Sequence, residues 1–311
     1  MKSVEVNANN HWLGFALSLF TAVLWGVLPI FLKLCLESMN SVTITWYRFL
    51  VAGIFVFLIL YKRKALPKVE VMRGKAWVWL IVASLLLVAN YVANVHGLEY
   101  LAPETAQVLM QLAPFLLMLG GIVFFTERFS PLEFLGAFAL LLGMSLFFNE
   151  RIEELFSSFN DFTLGVLIII FAAVTWAGYA LMQKPLLKVL SAKQLTLYIY
   201  VFGLLVLFPF SDPSQILDMQ MIHIYALIFC CLNTILGYGA FTEALAVWQA
   251  SKVSAVITLA PIFTFISMVI AVDVLPEHFV ATDLNTWAYI GAGIVVVGSA
   301  LTSLGRANHR R

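Results

Sequence analysis

The sequence predicts an all-α membrane protein with ten transmembrane helices, arranged as two inverted repeats of five helices each. Three observations predict this fold class. The 311 residues are 62% hydrophobic and only 11% charged, whereas an average soluble domain is about 25% charged. Apolar runs of roughly 20 residues, the length that a helix needs to cross a bilayer, follow one another along the chain. The two halves also carry the same residues in the same order.

Net charge and cysteine content exclude several other classes of protein. The net charge of +1 gives no electrostatic reason to expect nucleic acid as a partner. The three cysteines, Cys35, Cys230 and Cys231, lie in apolar runs at spacings that fit neither a disulfide framework nor a metal site. We therefore expect no cofactor and no metal, and we expect the partners to be the lipid bilayer and a small-molecule solute.

Ten apolar segments are separated by short polar connections. We expect all ten to be helices, because a lone strand would leave its backbone hydrogen bonds unsatisfied in lipid, and these runs do not alternate as barrel strands do. The first segment is too long for the apolar part of a signal peptide, so we expect it to be retained. The segments cover residues 13–34, 43–61, 76–98, 104–125, 131–148, 163–184, 194–210, 221–246, 252–272 and 286–304.

The basic residues predict which side of the membrane each connection occupies. Cytoplasmic connections of membrane proteins are enriched in lysine and arginine. If the amino terminus is cytoplasmic, every lysine and arginine except Lys33, Arg48 and Arg151 falls in a cytoplasmic connection or at the cytoplasmic end of a span. We therefore expect both terminal tails, residues 1–12 and 305–311, to be cytoplasmic.

The chain repeats itself between residues 13–149 and 163–304, which are joined by an acidic linker at 150–162 that is expected on the outer side. The following residues match in order: Trp25 with Trp176, and Leu112-Ala113-Pro114 with Leu259-Ala260-Pro261. Because five helices cross the membrane an odd number of times, the second copy must enter from the opposite side. Many secondary transporters are built from such inverted repeats, whose two copies can exchange outward-open and inward-open conformations. The repeat therefore predicts a solute transporter that works by alternating access.

Short motifs in both halves carry a resemblance to a known family. They are Trp25-Gly26, Arg48, the run from Gly97 to Pro103, Leu112-Ala113-Pro114, Thr126-Glu127-Arg128, the run from Leu245 to Ala250, and Leu259-Ala260-Pro261. In these residues the chain resembles the EamA family of the drug/metabolite transporter superfamily, from Leu13 to Leu304. The second copy departs from the pattern, because Val274 stands where the first has Glu127. The resemblance implies ten helices, export or import of small organic solutes, and a bacterial inner membrane. We expect an exporter of small organic metabolites or drugs.

Four amide side chains interrupt the third and fourth spans. Asn90 and Asn94 are four residues apart, as are Gln107 and Gln111, so each pair lies on one helix face. At a rise of about 1.5 Å per residue, Asn90 and Gln111 fall near the membrane midplane, and the other two lie nearer the outer side. The four amides either form a polar wall of a solute-binding cavity or join the helices by hydrogen bonds.

Aromatic residues near the middle of spans are further candidates for solute binding. Trp25 and Trp176 occupy matching positions in the two repeats, although tryptophan more often lies at the membrane surface. Tyr91, Tyr179 and Tyr238 also lie within spans, where each hydroxyl needs a partner. These five side chains either line the interior between the repeats, where they could stack on a solute, or pack in the core.

Three charged or titratable residues and two prolines are candidates for coupling or gating. Arg48 lies in the outer part of the second span, where it either binds an anionic group at the outward mouth or pins loops at the surface. His96 and Glu243 occupy matching repeat positions near opposite membrane surfaces, which suggests proton coupling. Pro114 and Pro261 occupy the same mid-span site in each half, so we expect a hinge or bend at each.

Glycines in the fifth and tenth spans predict close helix packing. Gly136 and Gly143 are seven residues apart, as are Gly291 and Gly298, so each pair lies on one helix face. Small residues allow membrane helices to approach closely. The two faces either pack together within one subunit or form a homodimer through the fifth and tenth spans.

Two other classes of function are weaker readings of the sequence. The His-Glu-x-x-His motif of metalloproteases is absent, and no phosphate-binding loop for ATP occurs. We therefore do not expect an enzyme. A receptor-like membrane protein without transport activity is the alternative, although it would not need an inverted repeat.

Overall fold

The structure, a computed structural model, is a bundle of helices and describes residues 8–67, 72, 74–125 and 130–308. No β-strand occurs among these residues. The motif Thr126-Glu127-Arg128 and the outermost parts of both tails lie outside them. The helices are α1 (Ala8–Leu36), α2 (Ser41–Lys62), α3 (Lys75–Tyr100), α4 (Pro103–Leu109), α5 (Leu112–Phe125), α6 (Pro131–Phe147), α7 (Ile152–Ser157), α8 (Asp161–Leu186), α9 (Ala192–Leu207), α10 (Met221–Val247), α11 (Ala250–Ile257), α12 (Ala260–Val274) and α13 (Thr286–Asn308).

Eight helical segments of the described chain are long and apolar enough to cross a membrane. They are His11–Leu36, Ser41–Lys62, Lys75–Tyr100, Asp161–Gln183, Ala192–Phe210, Met221–Val247, Lys252–Val274 and Thr286–Leu304. Two of the ten predicted spans fall short of this length. The fifth is the shorter apolar helix Pro131–Phe147, and the fourth is divided between α4 and α5.

Four helices, α2, α6, α8 and α9, begin at side chains that cap free backbone N–H groups. At the start of α2, the Asn40 Oδ1 accepts a hydrogen bond from the Thr43 N–H at 2.8 Å. At the start of α9, Ser191 and Gln194 form a capping box, in which each side chain accepts a hydrogen bond from the other residue's N–H. A polar cap satisfies donors that would otherwise lack a partner at a helix end.

The two repeats pack through equivalent helices. The first helix of each repeat contacts the third helix of the other, since α1 packs on α10 and α8 packs on α3. The second helices, α2 and α9, contact each other, as do the last helices, α6 and α13. The site described below lies in the space that these crossed pairs enclose.

The glycine faces of α6 and α13 meet within the chain. A Cβ on Gly136 would lie 2.7 Å from the Gly298 oxygen, and one on Gly143 would lie 2.7 Å from the Gly291 oxygen. The backbones are therefore in direct contact, which residues larger than glycine would prevent. Of the two alternatives for these glycines, the structure has the packing within one subunit, and a homodimer through spans 5 and 10 stays a prediction that needs other surfaces.

The outer surface of the bundle is apolar. Large hydrophobic side chains such as Val123, Phe134, Phe138, Leu205 and Val269 are each more than half exposed. In water a patch of this extent would drive aggregation, whereas in a bilayer it contacts lipid tails.

The bundle has two ends with different side chains. Helix α2 ends and α9 begins at the basic end, which carries Lys62, Arg63, Lys64, Lys188 and Lys193. The opposite histidine end carries His96, His223 and His278, with α7 and its linker beside it. In this linker, hydrogen bonds from Arg151 and Asn160 lower the pKa of Glu154.

Candidate functional site

A cavity of about 1100 Å³ lies between the two repeats. Its wall is formed by residues of every described α-helix except the short α7. Small-molecule sites are typically about 300–1,000 Å³, so the cavity is large enough for a metabolite with its water. The wall reaches from the middle of α1, at Trp25, to the basic end, where Leu187, Thr196 and Lys252 contribute to it.

The fourth and ninth predicted spans are broken helices. The fourth breaks at Met110 and Gln111, between α4 and α5, and the ninth at Thr258 and Leu259, between α11 and α12. A hinge or bend is expected at Pro114 and at Pro261, and the structure has a two-residue break in the helix just before each proline. The prolines supply the physical reason, since a proline lacks an N–H and its ring collides with the carbonyl four residues earlier.

Both prolines lie in the first turn of the helix that follows the break. Pro114 is the third residue of α5 and Pro261 the second residue of α12. The carbonyls four residues earlier belong to Met110, the first residue after α4, and to Ile257, the last residue of α11. Helical hydrogen bonding resumes beyond a tight turn, in which the Ala113 N–H donates to the Met110 oxygen at 3.0 Å. A hinge function at these sites stays a prediction.

All nine residues predicted to bind the solute contribute to the wall of this one cavity. Arg48 and Pro114 also line it. The nine residues are Trp25, Asn90, Tyr91, Asn94, Gln107, Gln111, Trp176, Tyr179 and Tyr238. The structure thus brings together side chains from five helices, and their role in binding remains a proposal.

Two of the four amides also join helices. The Asn90 Nδ2 donates a hydrogen bond to the Ala172 carbonyl oxygen at 2.8 Å, which links α3 to α8. The Gln111 Nε2 donates to the Thr258 oxygen at 3.3 Å, and its Oε1 accepts from the Ser299 Oγ at 2.8 Å. Gln111 and Thr258 lie in the two helix breaks, so the breaks are joined directly across the cavity wall.

The other two amides have no such partner. Among the described residues, none forms a hydrogen bond with the side chain of Asn94 or Gln107, and both side chains are partly exposed to the cavity. A free amide offers both a donor and an acceptor to whatever occupies the space. These two positions can therefore contact a solute without breaking a contact between helices.

Arg48 lies in the wall at some distance from the open end. Its side chain is 5% exposed, the Nε donates to the Thr234 Oγ1 at 3.0 Å, and the guanidinium carbon is 4.7 Å from the centre of the Tyr91 ring. Arg48 thus lies in the wall of the cavity, and the binding of an anionic group by its guanidinium stays a prediction.

Aromatic contacts shape one side of the cavity. The Trp25 ring lies 5.4 Å from the Tyr238 ring and 5.6 Å from the Phe241 ring, measured between centroids and with tilted planes. Tilted aromatic pairs hold each other in position. The three rings form an apolar surface beside the amides of the cavity wall.

Three of the coupling or gating candidates lie outside the cavity wall. His96 pairs with Glu99 at 3.0 Å near the histidine end, and Glu243 is exposed on α10 towards the basic end. Pro261 is buried between α12 and its neighbours. His96 and Glu243 are thus near opposite ends of the bundle, and proton coupling through them stays a prediction.

The histidine end is closed by a contact within the first repeat and by contacts between the two repeats. The Lys33 Nζ donates to the carbonyl oxygens of Leu98 and Leu101, which ties α1 to the end of α3. Beyond it, the Glu37 Oε2 lies 3.1 Å from the His223 Nε2 and 2.8 Å from the His278 Nδ1. We call Glu37, His223 and His278 the Glu37 cluster.

Sequence reasoning missed several polar residues of the cavity wall. Asn233 and Thr234 are nearly fully buried in α10, and Gln249 and Lys252 lie near the basic end. The Asn233 Nδ2 donates to the Leu24 oxygen at 2.6 Å. The signal used for the four amides, a polar residue within an apolar run, was present at Asn233 and could have found it.

Comparison with known proteins gives consistent results over the whole chain. The sequence matches the EamA-like transporter family over residues 12–149 and again over 163–304. An uncharacterized transporter of Haemophilus influenzae is 38% identical over 293 residues, which cover 94% of this chain and 95% of that protein. The uncharacterized inner membrane transporter YhbE of Escherichia coli (strain K12) is 38% identical over 294 residues, which cover 94% and 92%.

A solved structure extends the similarity to the fold. It is titled "Crystal structure of protein" and superimposes with a TM-score of 0.61 at 17% sequence identity, covering 96% of this chain and 99% of the other. The identity is too low to carry more than the fold. The two family matches and the relatives at 38% identity show that this chain belongs to the EamA-like transporter family.

Proposed function

We propose that this chain is a secondary transporter that moves small organic solutes across the bacterial inner membrane by alternating access. The observation that carries the proposal is the cavity itself. It lies between two repeats, its wall combines amides with aromatic rings, and the contacts of Glu37 with His223 and His278 join the repeats at one of its ends. A cavity of this kind suits a solute that is bound and then released, rather than a pore that is open at both ends.

The topology in this proposal is ten spans in two inverted halves with both termini in the cytoplasm. The equivalent pairs α1 with α10 and α8 with α3 support a twofold relation between the halves. The positive charges of the basic end support its assignment to the cytoplasm. On this assignment the cavity faces the cytoplasm, and the Glu37 cluster closes the outer side.

Export is the proposed direction. A cavity that is reached from the cytoplasm loads its solute there, which is the first step of export. Outward release then requires the Glu37 cluster and the Lys33 contacts to separate while the basic end closes. Two discrete arrangements of the same interface are what alternating access needs.

A resistance screen tests the proposal with the intact protein. Cells that express the chain are compared with cells that express the double variant Asn94→Leu, Gln107→Leu, across toxic amino-acid analogues, organic acids and amines. We expect the wild type to raise resistance to at least one class and the variant to lose this protection at equal membrane abundance. Equal growth of both strains in all three classes would contradict the proposal.

Proton coupling through His96 and Glu243 has a separate test. Proteoliposomes that contain the protein are given an imposed pH gradient, and uptake of the solute found in the screen is followed. A gradient that drives uptake in the wild type but not in Glu243→Gln supports the coupling. A rate of uptake that does not change with the pH gradient would contradict proton coupling and would indicate facilitated transport.

A further inference from the structure

The charged residues of the cavity wall are all basic. Arg48 and Lys252 line the cavity, and no aspartate or glutamate occurs among the described residues of its wall. Lys252 lies near the basic end, where its Nζ is 5.8 Å from the centre of the Trp248 ring. Arg48 is buried much deeper, so its charge acts on whatever enters the middle of the cavity.

Arg48 has no acidic partner within the described part of the chain. No described carboxylate lies within salt-bridge distance of its guanidinium, and its one described hydrogen bond, from the Nε to Thr234, leaves the two terminal nitrogens for the cavity. The Thr234 Oγ1 itself donates to the Cys230 oxygen at 2.9 Å, so it accepts from Arg48 as a neutral group. The positive charge is therefore not neutralised by the protein around it.

An unneutralised arginine in a membrane span is costly. A charged side chain loses its hydration when it enters the apolar part of a membrane, so such residues are rare within spans. Such residues normally pair with a carboxylate or face a site that binds an anion, because a guanidinium presents paired N–H groups that match two carboxylate oxygens. Here the missing partner has to come from the contents of the cavity.

The rest of the wall indicates what carries the anionic group. Trp25, Tyr238 and Trp176 offer aromatic faces, and the free amides of Asn94 and Gln107 offer hydrogen bonds to polar substituents. An aromatic or similarly apolar body would pack on the rings while its acidic group meets Arg48. The Tyr91 ring lies 4.7 Å from the Arg48 guanidinium carbon and contacts the guanidinium from one side.

We infer that the transported solutes are organic carboxylates with an aromatic or apolar body, and that Arg48 binds the carboxylate. This inference rests on the proposed transport function and names its substrate class. It distinguishes organic anions from the neutral and cationic solutes that an uncharged or acidic cavity would accept. A cation of the same shape would be repelled by Arg48 and by Lys252 at the basic end.

Binding of three matched compounds tests the inference. Phenylacetate, phenylacetamide and phenethylamine share a ring and differ in charge, and their affinities for the purified full-length protein are measured by calorimetry. We expect phenylacetate to bind at least about tenfold more tightly than phenylacetamide, which corresponds to about 1.4 kcal/mol, and phenethylamine to bind most weakly. The absence of a preference for the carboxylate overturns the inference.

Two variants on α2 assign the preference to a residue. Arg48→Gln is expected to bind phenylacetate and phenylacetamide equally, while Lys62→Gln, which removes an exposed charge from the same helix, keeps the wild-type preference. Retention of the full preference by Arg48→Gln overturns the role of Arg48. Should Arg48→Gln fail to fold, Arg48→Lys takes its place and is expected to weaken the preference, since an ammonium cannot bind a carboxylate through two parallel N–H groups.

The inference and the transport proposal fail in different ways. Protection against toxic amines that depends on Asn94 and Gln107, together with tighter binding of phenethylamine, would contradict the anionic substrate class and leave transport intact. Preferential carboxylate binding without any protection in the screen would contradict transport and leave the binding site.

Discussion

Asn90 and Asn94 differ in role although they lie on the same face of α3. Asn90 donates to the Ala172 oxygen, whereas Asn94 has no described hydrogen-bond partner and faces the cavity. Their spacing predicted that both would face the same way, and both do line the cavity. Asn90 also joins two helices because a carbonyl of α8 lies within its reach. The local sequence around Asn90 and Asn94 does not predict the position of that carbonyl.

The two asparagines therefore predict different consequences of the same substitution. Asn90→Leu should lower the free energy of unfolding by about 0.6 kcal/mol and by no more than about 1.7 kcal/mol, the average and the maximum found for hydrogen bonds between membrane helices. Asn94→Leu should change it by less than about 0.5 kcal/mol and should reduce protection in the resistance screen. Unfolding in mixed micelles measures the first quantity, and equal destabilisation by both variants would contradict the assignment.

At the scale of elements, the prolines and glycines were informative because their effects are local. The break before each proline follows from the missing N–H at Pro114 and Pro261. The prolines predicted a bend in each of these spans. Hydrophobicity alone does not distinguish a bend from a break at which a buried amide such as Gln111 binds a backbone carbonyl. The glycine faces predicted close packing, whereas the choice of partner required the arrangement of all ten predicted spans.

Glycines of α13 provide a matched pair for testing this packing. A Cβ on Gly298 would lie 2.5 Å from the Leu140 nitrogen, whereas a Cβ on Gly293 of the same helix would meet nothing within 4 Å. Gly298→Ala should destabilise the protein by about 1–3 kcal/mol, because α6 and α13 must move apart. Gly293→Ala should leave the melting temperature in detergent unchanged or slightly raised, and equal melting temperatures for the two variants would contradict the packing.

At the scale of the whole molecule, the repeat and the basic residues predicted the two-halved architecture, while the conformation lay beyond sequence reasoning. The sequence of an alternating transporter contains both the residues that close one end and the residues that close the other. It therefore does not indicate which end is closed in a given conformation. The Glu37 cluster illustrates this, because its three residues are far apart in sequence and meet in the structure at the closed histidine end.

The Glu37 cluster makes a prediction about the balance between the two states. Glu37→Ala removes the acceptor that holds His223 and His278, so it should increase the fraction of molecules that are open at the histidine end. A cysteine at Gln107 should then react faster with a membrane-impermeant maleimide added outside intact cells. Glu153→Ala, which removes a carboxylate from the outer linker without touching the cluster, serves as the control and should leave the rate unchanged.

Two-sided labelling of that cysteine tests alternating access most directly. Gln107→Cys is placed in a protein whose three buried cysteines, Cys35, Cys230 and Cys231, are replaced by alanine. Maleimide labelling is compared between intact cells and inside-out vesicles. We predict rapid labelling in inside-out vesicles, slow labelling in intact cells, and a shift towards the outside in Glu37→Ala. A cysteine that reacts from neither side, or equally fast from both sides with Glu37 in place, would contradict the account.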